Sequence, residues 1–380
     1  MQFSPDQSGC RWAGMVTLPG GTAGATSVRH VGRLAVTLVA LVTSIAVCVV
    51  SAQGGVERVT SHGPSFGGFS AFAVNPRDAQ VVYAGSGNGV FKSTDAGERW
   101  QAVNVGLTER YVFDLAIDQH RPATLYAATD GGVFKSQDGG GSWRKTSMPP
   151  GVEGRDAVVS LALHPRNPRV IYAGTDDAVY KSGDAGASWQ KVRTARRVFA
   201  IVLDPKQPAT VYAGSGGGVF KSTDAGRSWR VRNVGLFPNE TPDGHSLAEG
   251  FVSAIVVNSR HPQTLYLGSP RGVFKSTDRG RTWRRIRSAG LGGLVSSLAI
   301  DSEKPQTLYA GTYRVPGLFK STNGGRSWSR IGPLGSGNVL ALTLDPTDPE
   351  TVYAGMPDGA EAFKSTDGGR TWSALAIPVP

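Results

Sequence analysis

Cysteine is almost absent from this sequence, and the two that occur, Cys10 and Cys48, lie near its N-terminus. The chain after residue 53 therefore has no disulfide, no thiolate metal site and no cysteine nucleophile, and its stability has to come from packing alone. The sequence also lacks a metal-ligand cluster, a Ser-His-Asp pattern and a phosphate-cradling glycine loop. We therefore expect no metal and no other cofactor.

Acidic residues are scarce relative to basic ones: 29 Asp and Glu against 40 Lys and Arg give a formal net charge of +11. A basic surface of this size favours anionic partners, which include acidic proteins, lipid headgroups, polyanionic glycans and nucleic acid. Since no nucleic-acid-binding motif is visible, we expect a protein or glycan partner and no nucleic acid. We expect the protein to be a monomer.

Long hydrophobic runs are absent with one exception, residues 34–50. Arg29 and Arg33 precede this run, and Val50-Ser51-Ala52 ends it, which is the pattern of a cleavable secretory signal. The run also approaches the length of a membrane span, so an uncleaved anchor is the alternative. We therefore divide the chain into a leader, residues 1–53, and one large domain, residues 54–380. We predict a secreted or cell-envelope protein, with a membrane-anchored one as second choice.

One sequence motif, the phrase Ser-x-Asp-x-Gly-x-x-Trp, is abundant. It occurs seven times, once with Asn in place of Asp, and holds seven of the eight tryptophans. Its tryptophans follow one another at intervals of 40 to 54 residues, and a regular period in this range is the signature of a repeat architecture. The copies are Ser93–Trp100, Ser136–Trp143, Ser182–Trp189, Ser222–Trp229, Ser276–Trp283, Ser321–Trp328 and Ser365–Trp372.

Each repeat is predicted to form four short strands. In residues 297–331, apolar segments at 297–300, 307–311, 318–321 and 327–331 are separated by turn residues, with no helical period between them. Four antiparallel strands repeated radially make a β-propeller, in which each blade covers its neighbour. The sequence therefore predicts an all-β, seven-bladed propeller of four-stranded antiparallel blades.

The repeated phrase is interpreted as a structural turn. Its Asp accepts hydrogen bonds from backbone amides of the turn, its Gly adopts a positive φ, and its Trp is buried between sheets. Asn serves equally well in such a turn, which argues against a catalytic or metal-binding Asp. The turn-forming residues are Asp95, Asp138, Asp184, Asp224, Asp278, Asn323 and Asp367.

Three further positions recur in every repeat. A tyrosine in the second strand and an aromatic in the third are predicted to pack between blades. A lysine follows that aromatic in each repeat, and we interpret these lysines as surface charges with packed stems. The lysines are Lys92, Lys135, Lys181, Lys221, Lys275, Lys320 and Lys364.

The seven phrases resemble the BNR or Asp-box repeats of sialidases, xyloglucanase-type glycoside hydrolases, sortilin-like receptors and the photosystem II assembly factor family. The Val-Tyr-Ala-Gly and Phe-Lys-Ser-Thr-Asp motifs are most similar to those of the assembly-factor and xyloglucanase-like branch. The resemblance covers residues 69–380 and implies a propeller. It implies little about function, because enzymes, receptors and scaffolds share the repeat.

A hydrolase would place its site on the face opposite the Asp-box turns. That face carries the connections between second and third strands and those between fourth and first strands. Glycoside hydrolysis needs two carboxylates facing each other about 5–10 Å apart. The candidates in these connections, which include the long insert at 236–250, are Asp156, Asp176, Asp177, Asp243, Glu249, Asp358 and Glu361.

Basic residues cluster near the third, fourth and fifth boxes, where fourth strands would form the outer rim. Assembly-factor relatives bind a polypeptide through an arginine patch, and this arc is similar in kind. The candidate binding residues are Arg196, Arg197, Arg230, Arg284, Arg285 and Arg287. The favoured hypothesis is an exported, non-catalytic propeller that binds a protein or glycan partner as a scaffold or assembly factor. The alternative is a secreted glycoside hydrolase of the xyloglucanase or sialidase kind.

Overall fold

The computed structural model describes residues 68–149, 157–236, 251–287, 291–313, 317–332, 338–356 and 361–378, together with the backbone of Cys48–Val49. These residues form strands and turns. The first three blades comprise β2 (Phe69–Val74), β3 (Val82–Ser86), β4 (Gly89–Ser93) and β5 (Gln101–Ala102); β6 (Val112–Ile117), β7 (Leu125–Thr129), β8 (Gly132–Ser136) and β9 (Arg144–Lys145); β10 (Val158–Leu163), β11 (Ile171–Thr175), β12 (Ala178–Ser182) and β13 (Gln190–Thr194).

The remaining four blades repeat the same plan. They comprise β14 (Val198–Leu203), β15 (Val211–Ser215), β16 (Gly218–Ser222) and β17 (Arg230–Val231); β18 (Ala254–Val257), β19 (Leu265–Ser269), β20 (Gly272–Ser276) and β21 (Arg284–Arg285); β22 (Leu294–Ile300), β23 (Leu308–Tyr313), β24 (Gly317–Ser321) and β25 (Ser329–Ile331); β26 (Ala341–Leu344), β27 (Val352–Gly355), β28 (Ala362–Ser365) and β29 (Ser373–Ala374).

Every blade is an antiparallel meander of four consecutive strands. First strands of successive blades contact one another around the ring, and β26 contacts β2, which closes it. The fourth strands are short and mostly exposed, so they form the outer rim. The predicted seven-bladed, all-β propeller is therefore confirmed.

One short strand stands outside the seven blades. This strand, β1 (Cys48–Val49), pairs in parallel with β18. The rest of the predicted leader, residues 1–53, lies outside the described residues. Within the part of the chain that the structure describes, no helix is long and apolar enough to cross a membrane.

The Asp-box turns have the internal bonding that the sequence predicted. In the fourth box, Ser222 Oγ donates to Asp224 Oδ1 at 2.7 Å, and Asp224 Oδ1 also accepts from the amide of Ser228 at 2.8 Å. The amide of Gly226 donates to Ser222 Oγ at 2.8 Å. In the sixth box, Asn323 Oδ1 accepts from Ser321 Oγ and from the amide of Ser327, as an aspartate would.

Neighbouring blades are joined by a tyrosine and a lysine that share one acceptor. Between blades 3 and 4, Tyr172 Oη and Lys181 Nζ donate to the carbonyl of Ala225 at 2.9 and 2.8 Å. The acceptor is the fourth residue of the next blade's box. The same pair of bonds occurs at six junctions, and its acceptors are Gly139, Ala185, Ala225, Arg279, Gly368 and Ala96.

The packed stems predicted for these lysines are therefore confirmed, but the prediction that their ammonium groups are surface charges is wrong. Six of the seven are half-buried, and Lys221 is 8% exposed. Each ammonium lies over the ring of its own blade's tyrosine, within 5.1 to 5.8 Å of the centroid. Burial, followed by the charges of nearby arginines, lowers the pKa of Lys221 to about 8. The lysines belong to the joints between blades.

Candidate functional site

The propeller has two unlike faces. Box turns lie beside the connections between first and second strands, since the amide of Ala225 donates to the carbonyl of Ala209 at 2.8 Å and that of Ala96 to Gln80 at 2.8 Å. Hydrogen bonds within and between blades fix these turns. The opposite face is built from the remaining connections, in which the sequence places the candidate carboxylates.

Two of the seven candidate carboxylates are held in ion pairs. Asp176 Oδ1 lies 3.0 Å from Nε of Arg197, and Asp177 Oδ2 lies 2.6 Å from Nζ of Lys191. Glu361 is exposed and directly precedes β28. The other four, Asp156, Asp243, Glu249 and Asp358, lie outside the described residues. Of the three candidates that the structure describes, two are thus paired with basic side chains.

A different carboxylate pair lies on this face, and the sequence analysis did not select it. Glu109 is in the connection from blade 1 to blade 2, and Asp130 is in the turn between β7 and β8. Desolvation and then the charge of Glu109 raise the pKa of Asp130. Their positions in the sequence would have identified them, because the two connections both adjoin blade 2 and lie on the same face.

The same face carries aromatic rings and the Asp176–Arg197 pair, and the amide of Asp130 donates to the carbonyl of Tyr111 at 3.3 Å. Tyr111 and Phe113 have ring centroids 4.7 Å apart. Arg197 lies over the ring of Phe199, with Cζ 5.5 Å from the centroid. Burial lowers the pKa of Arg197, while Asp176 and Tyr111 act in the opposite direction. Arg197 is thus a half-buried residue of the loop-rich face, and its charge is offset by Asp176.

The outer rim is strongly basic over five consecutive blades. The exposed fourth strands of blades 2 to 6 carry Arg or Lys in every case, whereas those of blades 7 and 1 read Ser-Ala and Gln-Ala. We call the basic part of this rim the basic arc. Its residues on the fourth strands are Arg144, Lys145, Lys191, Arg193, Arg230, Arg284, Arg285 and Arg330.

Most of the predicted binding arginines belong to the basic arc. Arg230, Arg284 and Arg285 lie on fourth strands and are exposed, and Arg287 follows directly and is also exposed. Arg196 is exposed in the connection after β13. Arg197, in the same connection, is paired with Asp176.

In the described ranges no three His, Cys, Asp or Glu side chains are grouped so that they would hold a metal ion. The arginines and lysines of the rim can bind anionic groups. On the loop-rich face it offers a pair of acids beside aromatic rings.

Comparison with known proteins agrees with this architecture. The model of the BNR/Asp-box repeat matches residues 363–374, which contain the seventh box. None of the curated protein sequences matches this chain.

Solved structures share the fold at low sequence identity. A GH74 xyloglucanase from Xanthomonas campestris superposes with a TM-score of 0.65 and 20% identity over 86% of this chain and 55% of that chain. The chain therefore spans about half the length of that enzyme. YCF48 from Cyanidioschyzon merolae superposes with a TM-score of 0.58 and 14% identity, over 80% of this chain and 96% of that one. A structure of YCF48 bound to a D1 peptide superposes with a TM-score of 0.54 and 16% identity, over 77% of this chain and 91% of that chain. The chain is a seven-bladed β-propeller built on Asp-box repeats, with the fold of the GH74 xyloglucanases and of YCF48.

Proposed function

We propose that this chain is an exported, non-catalytic propeller that binds an acidic partner protein through its basic arc. The observation that carries the proposal is the uneven charge of the rim. Five consecutive fourth strands are basic and two are neutral. Charge that only kept the protein soluble would have no reason to leave out the fourth strands of two adjacent blades.

The likeness to YCF48 supports a protein as the partner, because one of the similar structures holds a bound peptide. Arginine also suits a carboxylate-bearing surface, since its planar guanidinium binds carboxylates in two-pronged fashion. An acidic glycan presents the same groups and is the second choice of partner. Electrostatic recognition of either kind weakens as salt concentration rises.

The test is capture of a partner from envelope extracts by the immobilised propeller. Charge reversal of Arg284, Arg285 and Arg287 to glutamate should reduce capture at least tenfold. The matched control reverses three exposed arginines of blades 7 and 1, Arg77, Arg99 and Arg370, and should retain capture. Equal capture by both triple variants would overturn the role of the arc.

We further propose that the leader, residues 1–53, directs export. Fusing residues 1–53 to a reporter enzyme that is active only outside the cytoplasm should give activity. A leader with Arg29 and Arg33 changed to glutamate should not, because the positive flank is required for export. Activity that does not depend on the leader would contradict export.

A second candidate function rests on Glu109 and Asp130. A carboxyl group whose pKa is raised, next to a second carboxylate, is the arrangement that glycosidases use for their acid and their base or nucleophile. The likeness to a xyloglucanase favours polysaccharide as substrate. A screen on polysaccharides and sialosides tests it. Hydrolysis that is lost in Asp130→Asn would establish the enzyme, and a negative screen would remove this candidate.

A further inference from the structure

The junction between blades 5 and 6 opens into a groove at the rim. It has a volume of about 800 Å³ and is lined by Lys275, Thr277, Arg284, Arg285, Ile286, Arg287 and Arg326. Five of these seven side chains are cationic and none is acidic. Since the propeller repeats its junctions around the ring, other junctions show what this groove would contain if it were only structural.

The junction between blades 2 and 3 provides that comparison. Its groove is about 390 Å³, and Lys135, Arg144 and Lys145 occupy the places of Lys275, Arg284 and Arg285. Here, however, the box carboxylates Asp138 and Asp184 also line the groove. Three cations thus face two carboxylates, which leaves little charge for a ligand.

Two residues of the sixth box account for part of the difference. The box of blade 3 has Asp184 and Ala187, whereas the box of blade 6 has Asn323 and Arg326 in the same positions. One change removes a negative charge beside the junction, and the other adds a positive charge to the groove itself. Asn323 keeps the bonds of the turn, so the exchange does not disrupt the box.

The joint between these blades also lacks bonds that the repeat makes elsewhere. Within the described part of the chain, Lys275 Nζ has its cation–π contact with Tyr266 at 5.1 Å but no hydrogen bond to the next box. Trp328, 6% exposed, has its indole Nε1 buried without a partner, whereas Nε1 of Trp283 donates to the carbonyl of Arg232 at 2.9 Å. The junction is therefore looser, and the ammonium of Lys275 is left for a ligand.

The cations of this groove have no protein counter-ion. Among the described residues none of the five forms an ion pair. The nearest box carboxylate in sequence, Asp278, accepts hydrogen bonds from Ser276 and Thr282 of its own turn and does not line the groove. Five like charges that repel one another and lack a partner are stabilised by a bound anion.

We propose that this groove binds a tetrahedral dianion, a phosphate or sulfate group. Such a group carries up to two charges and at least three acceptor oxygens, and so satisfies several cations at once. Arginine forks match the geometry of these oxygens, and Lys275 adds a point charge. A carboxylate carries a single charge and would leave most of the cations unmatched. The inference goes beyond the proposed function, because anion binding by the purified protein needs no partner protein.

Calorimetric titration of the purified propeller in low-salt buffer tests the proposal. Inorganic phosphate and sulfate should bind at least tenfold more tightly than acetate at equal ionic strength. Arg326→Ala and Asn323→Asp should each weaken phosphate binding several-fold. Both put at their position a residue that another box of this chain carries, so both variants should fold. The matched control Arg370→Ala, at the same position of the seventh box and outside the basic arc, should leave the affinity unchanged.

Two outcomes would overturn the site. One is acetate binding as tightly as phosphate, and the other is unchanged affinity in both Arg326→Ala and Asn323→Asp. The source of the group is decided by titrating O-phosphoserine and O-sulfoserine beside the free ions. A tightly bound ester assigns the group to a larger ligand, and binding confined to a free ion assigns the groove to that ion.

Discussion

At the scale of single residues, each Asp-box turn depends on two consecutive residues with positive φ. In the fourth box these are Ala225, at 58°, and Gly226, at 87°. The first position is Ala, Gly or Arg in the seven boxes, but the second is always Gly. The variation follows from conformation, because the left-handed region near 60° admits other residues at a small cost, whereas larger φ values favour glycine.

Exchanging these two neighbours should therefore have unequal effects. Gly226→Ala should lower the free energy of unfolding by about 1–3 kcal/mol, since the new Cβ would also lie 3.3 Å from Cε1 of Tyr172. Ala225→Gly should change it by less than about 1 kcal/mol, because relieved strain offsets the added freedom of the unfolded chain. Urea unfolding measures both. Equal losses would contradict the account.

At the same scale, sequence reasoning succeeded where the chemistry is local and failed where it is not. Asn323 was interpreted correctly as a mild change, because its partners Ser321 and Ser327 lie within four residues. Lys92 was misread, because its acceptor, the carbonyl of Gly139, is 47 residues away. Spacing along the chain does not show which distant carbonyl a long side chain reaches.

At the scale of strands and blades, the joint between blades combines a phenol, an ammonium and one carbonyl. The sequence predicted the strands of blade 6 to within a few residues, since short apolar runs and turn residues set them. It could not predict the pairing of Arg197 with Asp176, or the proximity of Glu109 to Asp130. These side chains come from different connections of one face, and the distances between them are set only by the folded blade, not by the spacing along the chain.

Loss of a joint lysine should cost stability only where the lysine is bonded. Lys181→Met keeps the packed stem but removes the bond to Ala225, and should lower the free energy of unfolding by about 1–2 kcal/mol. Lys275→Met, at the junction where the described chain shows no such bond, should cost under about 0.5 kcal/mol. Urea unfolding of the two variants provides the comparison. A larger loss in Lys275→Met would contradict the assignment of the looser junction.

The joint tyrosines should limit stability at alkaline pH. Burial, followed by the charge of Asp138, raises the pKa of Tyr83 to about 12, and burial raises those of Tyr126, Tyr172, Tyr212 and Tyr353 as well. Above about pH 10 the unfolded chain loses these protons while the folded chain keeps them. Their contribution to stability is complete below pH 10 and falls as the pH rises towards 12.

Titration of Lys221 has the opposite effect on stability, and it does so at lower pH. The pKa of Lys221 is about 8 in the folded chain, so its deprotonation raises stability between about pH 8 and 10.5. The net decline should therefore begin above about pH 10. Tyrosinate absorbance and circular dichroism followed together provide the measurement. Phenols that ionise near pH 10 in a folded protein would contradict the buried joint.

At the scale of the whole molecule, the ring closes without exchanging a strand among the described blades. Blade 7 meets blade 1 through the same bonds as other junctions, with Tyr353 Oη and Lys364 Nζ donating to the carbonyl of Ala96 at 3.1 and 2.8 Å. The chain does not run from one of these blades to the next, so packed side chains and hydrogen bonds hold them together, including a bond from the amide of Phe69 to the carbonyl of Met356 at 3.3 Å. The cluster at this junction contains five aromatic residues, Phe69, Phe72, Phe91, Trp100 and Tyr353.

Truncating the closing cluster should therefore open the ring locally. Phe72 is fully buried, and its ring centroid lies 5.9 Å from that of Tyr353 and 6.5 Å from that of Trp100. Phe72→Ala should lower the free energy of unfolding by about 3–5 kcal/mol. Amide exchange should quicken first in blades 7 and 1, because no connecting segment keeps them adjacent.

The matched control is Leu161→Ala, which removes the corresponding inner-strand side chain of blade 3. Leu161 is 2% exposed, and its loss should cost about 2–5 kcal/mol. Because blades 2, 3 and 4 follow one another in the chain, exchange in Leu161→Ala should quicken without concentrating at the closing junction. Hydrogen exchange read by mass spectrometry separates the two patterns. If Phe72→Ala exchanged as evenly as Leu161→Ala, the aromatic cluster would be ordinary core, and closure would depend on the bonds from Tyr353 and Lys364 to the carbonyl of Ala96.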